Sequence, residues 1–535
     1  MNGLNAGMNP QDQMSSMDAL ARSVRAKIGI NESVEDEELM HHVERACTEI
    51  YDLLVSSYGP RGMNKMIINP VNDVFLTSDG KTIMEEIDIL HPVVTSLKDI
   101  AKSMDRACGD GTKTAVILAA GLIRNASMLI KRGVHPSTII KGYRLALNKT
   151  YELLEHESFP AKSYEQMYAA VLSSTAGKGI DFIMADKLAR NMMGIVENLD
   201  NMSEGGFLDL DENVSIIKKV GKPDIVSISG VILDERPARK DMPDTLDNPE
   251  ILILKGDVSF KSAFLNSQHN IRMDSYETSV MFEKEQKRIV NDFTRKIVSS
   301  GAEAVFCEGD VDPLIESTLS RNRILLFKKL QPKDLLRLSK STGATMMSIH
   351  DDDLCEGTGR AERVEVSKKC NEYFVFVRSH NRMISTILIW EPVRYGLEKI
   401  EEAADDALTN AAFILRNRMI VTGGGGIEFI LSQMLRSYAT TIEGKEQLAV
   451  EEYASALEDI PRILAKNAGM DVFDSMAQMS GYYNRGIDAR IDTSGRVCEN
   501  NPPIYDCASI KKLAIISATE AASNVLRIDR ILAKS

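Results

Sequence analysis

The sequence predicts a multidomain chain of α and α/β type, and three observations carry the prediction. Its 535 residues exceed what one hydrophobic core organises and favour about three domains. With 44% hydrophobic, 26% charged and 6% aromatic residues and a single tryptophan, the composition is that of a helix-rich globular protein, not a disordered one. The texture changes along the chain: helical periodicity dominates both ends, and short apolar strands alternate with helices in the middle.

The elements follow in order. After a polar leader, "LMHHVERACTEIYDLLVSSYG" places Val43, Cys47, Ile50, Leu53 and Leu54 at every third or fourth position, predicting an amphipathic helix ended by Gly59 and Pro60. "KMIINP" and "DVFLTSDG" read as a short strand pair, followed by mostly helical sequence from Ile83 to Leu154. Between Lys162 and Val220 helices come first, and "GGFLDLDENVSIIKKVG" then alternates like two strands around a turn. Beyond lie the strands "EILILKG", "EAVFCEG", "RILLFKKL" and "ATMMSIH", separated by helical stretches. "VSFKSAFLNSQHNIRMDSYETSV", with Phe260, Phe264, Leu265, Ile271 and Met273 among polar residues, reads as an insertion or protrusion. Strands return from Asn371 to Trp390, and helices from Leu397 to the end, interrupted by Gly423 to Gly426. A domain built from both chain ends around an inserted one would explain the helical, α/β, helical order.

A net charge of -13 argues against a general nucleic-acid binder, which needs basic patches for phosphate. The start lacks a basic segment followed by an apolar core, and no apolar run approaches about 18 residues, so neither export nor membrane spanning is expected and the protein is placed in the cytoplasm. Seven scattered cysteines without a C-x-x-C pair suit reduced thiols, and eight histidines show no metal spacing. The 26 methionines fit core filling better than an adaptable binding surface.

The chemistry concentrates in "DRACGDGTKTAVILAAG", residues 105 to 121, where Asp110 to Thr114 open a helix whose Val116, Ala119, Ala120, Ile123, Ser127 and Ile130 form one apolar stripe. Glycines permit close backbone approach, hydroxyls and amides donate to phosphate oxygens, and a helix N-terminus favours anions. A carboxylate amid phosphates is best used on Mg2+. Asp and Thr are also favoured at ordinary caps, so this stretch alone leaves both readings open. "LTSDGKTI", "SYGPRGMNKM", "VTGGGGIEF" and "STAGKGID" repeat the theme, each equally compatible with a turn or loop. None matches G-x-x-x-x-G-K-[ST].

Taken in order, the series "YGPRGMNKMI", "LTSDGKTIMEEIDILHP", "GDGTKTAVILAAGLI", "GVHPSTIIKGYRLAL", "SSTAGKGID", "VTGGGGIEFILSQML", "IEGKEQLAVEEYASALEDIPRILAKNAGMD" and "ISATEAASNVLRIDRILA" strongly resembles the group II chaperonins, the archaeal thermosome and its eukaryotic cytosolic relatives. The resemblance spans nearly the whole chain. It implies the chaperonin fold: a helical equatorial domain from residues 1–161 and 413–535, a small α/β intermediate domain from 162–222 and 380–412, and an α/β apical domain from 223–379 with a helical protrusion at about 257–285. It implies a double ring of like or paralogous subunits that binds non-native polypeptides and encloses them with a built-in lid, driven by hydrolysis of ATP with Mg2+.

The resemblance also implies residue roles. Asp110 holds Mg2+, and Gly111, Thr112, Lys113 and Thr114 hold phosphates. Asp79 orders the attacking water, Lys178 senses the γ-phosphate, and Asp406, seventeen residues before Gly423, activates the water. Asp405 beside it points about 100° away and reads as a solvated helix position. Base and ribose lie near Gly59, Pro60, Gly424 and Gly425, with Asp506 as the acidic ribose contact. The chain departs from the family's usual pattern at Lys113, where threonine is usual, at Trp390 to Val393, which replace an arginine-glycine-glycine-threonine hinge, and at Asn64 and Lys81. Retained Asp79, Asp110 and Asp406 favour a working ATPase; the departures leave room for a ring member that binds nucleotide but turns it over weakly. A small-molecule kinase would need an acceptor pocket that no motif supplies.

Overall fold

The helix Thr112–Lys131 begins at a glycine and is then buried on almost every side, which makes it the axis of the first of two compact units. That unit comprises Met1–Asp181 and Thr409–Ser535; the second comprises Phe182–Leu408. In this computed structural model the described residues are 36–68, 74–87, 91–176, 179–202, 210–259, 276–369, 372–501 and 503–528.

Apolar residues on all faces force a helix into the middle of a bundle. Thr112–Lys131 accordingly packs against Asp36–Val55, Pro92–Cys108, Glu446–Asn467 and Ala508–Val525. The single stripe expected for it is corrected: besides Val116, Ala119, Ala120, Ile123 and Ser127, the residues Ala115, Ile117, Leu118, Leu122 and Ala126 are also buried. This helix is long and apolar enough to cross a membrane, contrary to the sequence expectation, but 78% of its most apolar stretch is buried within the protein. It is a core helix. Glycine at position 142 allows Pro136–Glu157 to approach the helix Glu446–Asn467, since a Cβ there would lie 2.5 Å from Ala449 Cβ. A small antiparallel sheet joins Phe159–Pro160, Met419–Thr422 and Tyr505–Cys507, and so draws three distant stretches of the chain together.

The second unit holds two sheets. In one, Met346–Ser348, Glu250–Lys255, Ala304–Cys307 and Leu325–Phe327 run parallel in that order, with Gly359–Arg360 antiparallel on Glu250–Lys255. Strands covered on both faces read as continuous apolar runs, as "ILIL" and "AVFC" do. The other sheet has six strands in the order Val214–Val220, Ser385–Glu391, Asp224–Leu233, Glu372–Arg378, Arg363–Lys369 and Thr245–Asp247. The expected strand pair in "GGFLDLDENVSIIKKVG" is corrected in its described part: Leu210–Asn213 forms a helical turn and only Val214–Val220 a strand. Asp and Asn in "LDEN" disfavour the pleated strand. Trp390 is the penultimate residue of the strand Ser385–Glu391, is buried, and meets Phe374 edge-on at 5.8 Å. The multidomain α and α/β class expected from sequence is the class observed. Phe260, Phe264, Leu265, Ile271 and Met273 lie outside the described residues, as does Lys178.

Candidate functional site

Five of the described helices close their first turn with a side chain. Asp79, His91, His135, Asp312 and Asp471 each accept from a backbone N–H of the helix they precede. Thr112–Lys131 and Gly426–Ala439 do not: their N-caps are Gly111 at φ +78° and Gly425 at φ +77°, with no side-chain hydrogen bond to the first turn. Both glycines occupy the left-handed region, where a Cβ costs energy, and both line one pocket. Uncapped N–H groups and the positive helix end make this a place for anions.

The pocket lies wholly within the first unit. Gly59, Pro60, Asp79, Asp110, Gly111, Thr112, Lys113, Thr114, Gly424, Gly425 and Asp506 all line it. Asp79 caps its helix through Oδ2, which accepts from Thr82 N at 2.9 Å. Asp110 is half-buried, and its Oδ1 accepts from Gly111 N at 2.6 Å. Lys113 Nζ donates to the Ser57 carbonyl at 3.0 Å. Its stem needs Gly80 alongside, because a Cβ there would lie 2.6 Å from Lys113 Cγ. Lys81, the neighbouring departure, pairs with Asp105 at 2.7 Å.

Several pocket residues were not singled out from sequence. Lys511 is paired with Glu428 at 2.6 Å and with Asp506 at 2.9 Å. Burial by itself would depress this ammonium, but the two carboxylates outweigh it and hold Lys511 well above the ordinary lysine range. Ser173 Oγ donates to the other oxygen of Asp506 at 2.8 Å. Tyr58 and Thr114 share a hydrogen bond of 2.9 Å, and burial pushes the Tyr58 phenol up to about 12. Asn410 Nδ2 donates to Asp110 Oδ2 at 3.4 Å. Ser173 opens the "SSTAGKGID" stretch but was given no role there; Asn410, four residues after Asp406, was open to helical-spacing reasoning.

Asp406 belongs to the second unit, on the helix Arg394–Asn417, and is buried, whereas Asp405 is exposed. That is the difference the 100° step predicts. The oxygens of Asp110, Thr112, Thr114 and Asn410 are hard donors of the kind that hold Mg2+. Buried Asn410 Oδ1 has no partner among the described residues, which fits a site that receives a cation or its water. Among those residues there is no cluster of three or more His, Cys, Asp or Glu side chains suited to a metal.

Residues 50–535 match the TCP-1/cpn60 chaperonin family. The chain belongs to that family. Among its relatives are a thermosome subunit alpha of Methanothermobacter thermautotrophicus, 33% identical over 482 residues covering 89% of this chain and 88% of the relative. A thermosome subunit beta of Archaeoglobus fulgidus is 32% identical, covering 91% of this chain and 90% of the relative. A thermosome subunit beta of Thermoplasma acidophilum is 30% identical over 528 residues, covering 97% and 93%. Such relatives make this a group II chaperonin of the thermosome type. The chaperonin's pocket is therefore built from eight segments scattered over its sequence, two of which arrive as glycine-capped helices.

Proposed function

We propose that this chaperonin hydrolyses ATP in the pocket at Gly111 and uses the reaction to fold other proteins. The observation that carries the reading is the pair of uncapped helix N-termini facing the same pocket as Asp79 and Asp110. Phosphates would take the N–H groups of the first turns, with Thr112, Thr114 and Lys113 beside them. Mg2+ held by Asp110 would offset the phosphate charge. Asp79 and Asp406 would orient the attacking water and take up its proton, the positioned carboxylates that phosphoryl transfer requires. Asp406 precedes Asn410, a pocket residue, by one helical turn. Asp506, clamped between Ser173 and Lys511, would receive the ribose, near Gly59, Pro60, Gly424 and Gly425. Lys178 would contact the γ-phosphate.

In this reading the chain has equatorial, intermediate and apical domains at the boundaries given above, assembles with like or paralogous subunits into a double ring in the cytoplasm, and encloses non-native polypeptides under a lid that ATP hydrolysis drives. The thermosome relatives support the assembly, as subunits by name. Phosphate release from Mg-ATP by the purified assembly tests it, beside Asp406→Ala and electron microscopy of both. The expected result is intact rings in both, with turnover reduced at least about 100-fold in the variant. Intact rings without turnover in the parent protein would favour a regulatory or structural ring member, with Lys113 as the first residue to revert.

A further inference from the structure

Asn410 is 2% exposed and stands in the pocket wall. Its amide N–H reaches Asp110 Oδ2 at 3.4 Å, the outer limit of a hydrogen bond, and its Oδ1 has no partner among the described residues. A buried carbonyl left unsatisfied costs about 1–3 kcal/mol. A side chain this enclosed, with one end weakly held and the other unmet, lacks a partner that the pocket contents would provide.

We infer that Asn410 supplies an amide oxygen to the coordination shell of the divalent cation at Asp110. The inference rests on the reading of Asp110 as the metal carboxylate. Asp110 Oδ1 is engaged by Gly111 N, so Oδ2 is the oxygen that Asn410 approaches. Without a cation the amide turns its N–H to that carboxylate, because two oxygens would repel. With a cation between them the preference reverses, and a half-turn of the terminal torsion, which is soft and nearly two-fold, exchanges N and O within the same volume. Mg2+ and Mn2+ both take neutral amide oxygens beside a carboxylate, so the site gains a ligand without adding charge next to the phosphates.

The test uses the purified assembly with saturating ADP and follows free Mn2+ by electron paramagnetic resonance, with ADP affinity in EDTA measured separately. Asn410→Val is expected to weaken Mn2+ binding about 10-fold or more and leave ADP binding in EDTA unchanged. Asn410→Asp, which keeps both the oxygen and the volume, is expected to retain or tighten it. Mn2+ bound by Asn410→Val as tightly as by the parent, with Asp110→Asn losing it, overturns the inference and leaves the nucleotide reading standing. Loss of ADP binding in EDTA in both Asn410 variants also overturns it, since that is a structural effect. If the parent shows no ADP-dependent Mn2+ site, the reading of the pocket fails as well, and Asp110→Asn then has nothing to lose.

Discussion

The two units bury different things. At the centre of the second unit's parallel sheet, Ile251 to Leu254, Ala304 to Cys307 and Leu325 to Phe327 are all apolar and almost wholly inaccessible, and Phe306 stacks on Phe327 at 5.1 Å. At the pocket of the first unit, Glu428 and Asn410 are removed from water and Lys511 nearly so, although an ion taken out of water costs several kcal/mol. A sheet core is optimised for packing alone. The pocket instead retains buried polar groups whose cost is offset by one another and, in the proposed function, by a charged ligand.

The sharpest way to test the contrast is to remove one large group from each region. Phe306→Ala should destabilise the second unit by about 3–5 kcal/mol through the cavity it leaves. Lys511→Met should cost about 3 kcal/mol for a different reason, because Glu428 is left charged and buried, with half-buried Asp506 beside it. Urea unfolding of each variant measures both losses. Adding Glu428→Gln and Asp506→Asn to Lys511→Met should recover most of the second loss, whereas no polar substitution recovers the first. If Lys511→Met unfolds at the parent's urea concentration, the triad is not what holds the pocket wall and the contrast collapses.

A smaller effect is expected at Gly111→Ala, about 1–2 kcal/mol for a left-handed residue with a Cβ, with added crowding because that Cβ would lie 2.9 Å from Ile510 Cγ2. The urea midpoint reads the cost. ADP affinity in EDTA should fall as well, and an unchanged affinity would show that the N–H groups after Gly111 do not hold phosphate.

The smallest effect lies on the surface of the second unit, where Lys328 and Lys329 hold the Asp310 carboxyl down to about 2. Because the folded value lies below the ordinary 3.8, the contribution is present above about pH 4 and is lost as pH falls toward 2. Asp310→Asn should therefore cost under about 1 kcal/mol at pH 7 and flatten that part of the acid-unfolding profile. A larger loss would mean that surface charge matters here as much as the core does.

Much of this was legible in advance because it is local. Alternating apolar strands marked the α/β region, since a buried parallel strand is apolar throughout. Glycine next to aspartate marked the pocket, since a left-handed cap leaves its signature in one residue. The all-round burial of Thr112–Lys131 is not legible in its stripe, because periodicity reports where apolar residues stand and not how many neighbours will cover a helix.

The sequence by itself determined the helical ends, the α/β middle, the family and eleven residues of the pocket lining. Only the tertiary structure decided that Ser173 would meet Asp506 across 333 residues, that Asn410 would reach Asp110 across 300, and that Lys511 would bridge two carboxylates from separate elements. The physical reason is that these contacts exist only once a helical bundle and a three-stranded sheet have closed around the pocket. No local spacing encodes that closure, because it depends on the packing of segments from both ends of the chain.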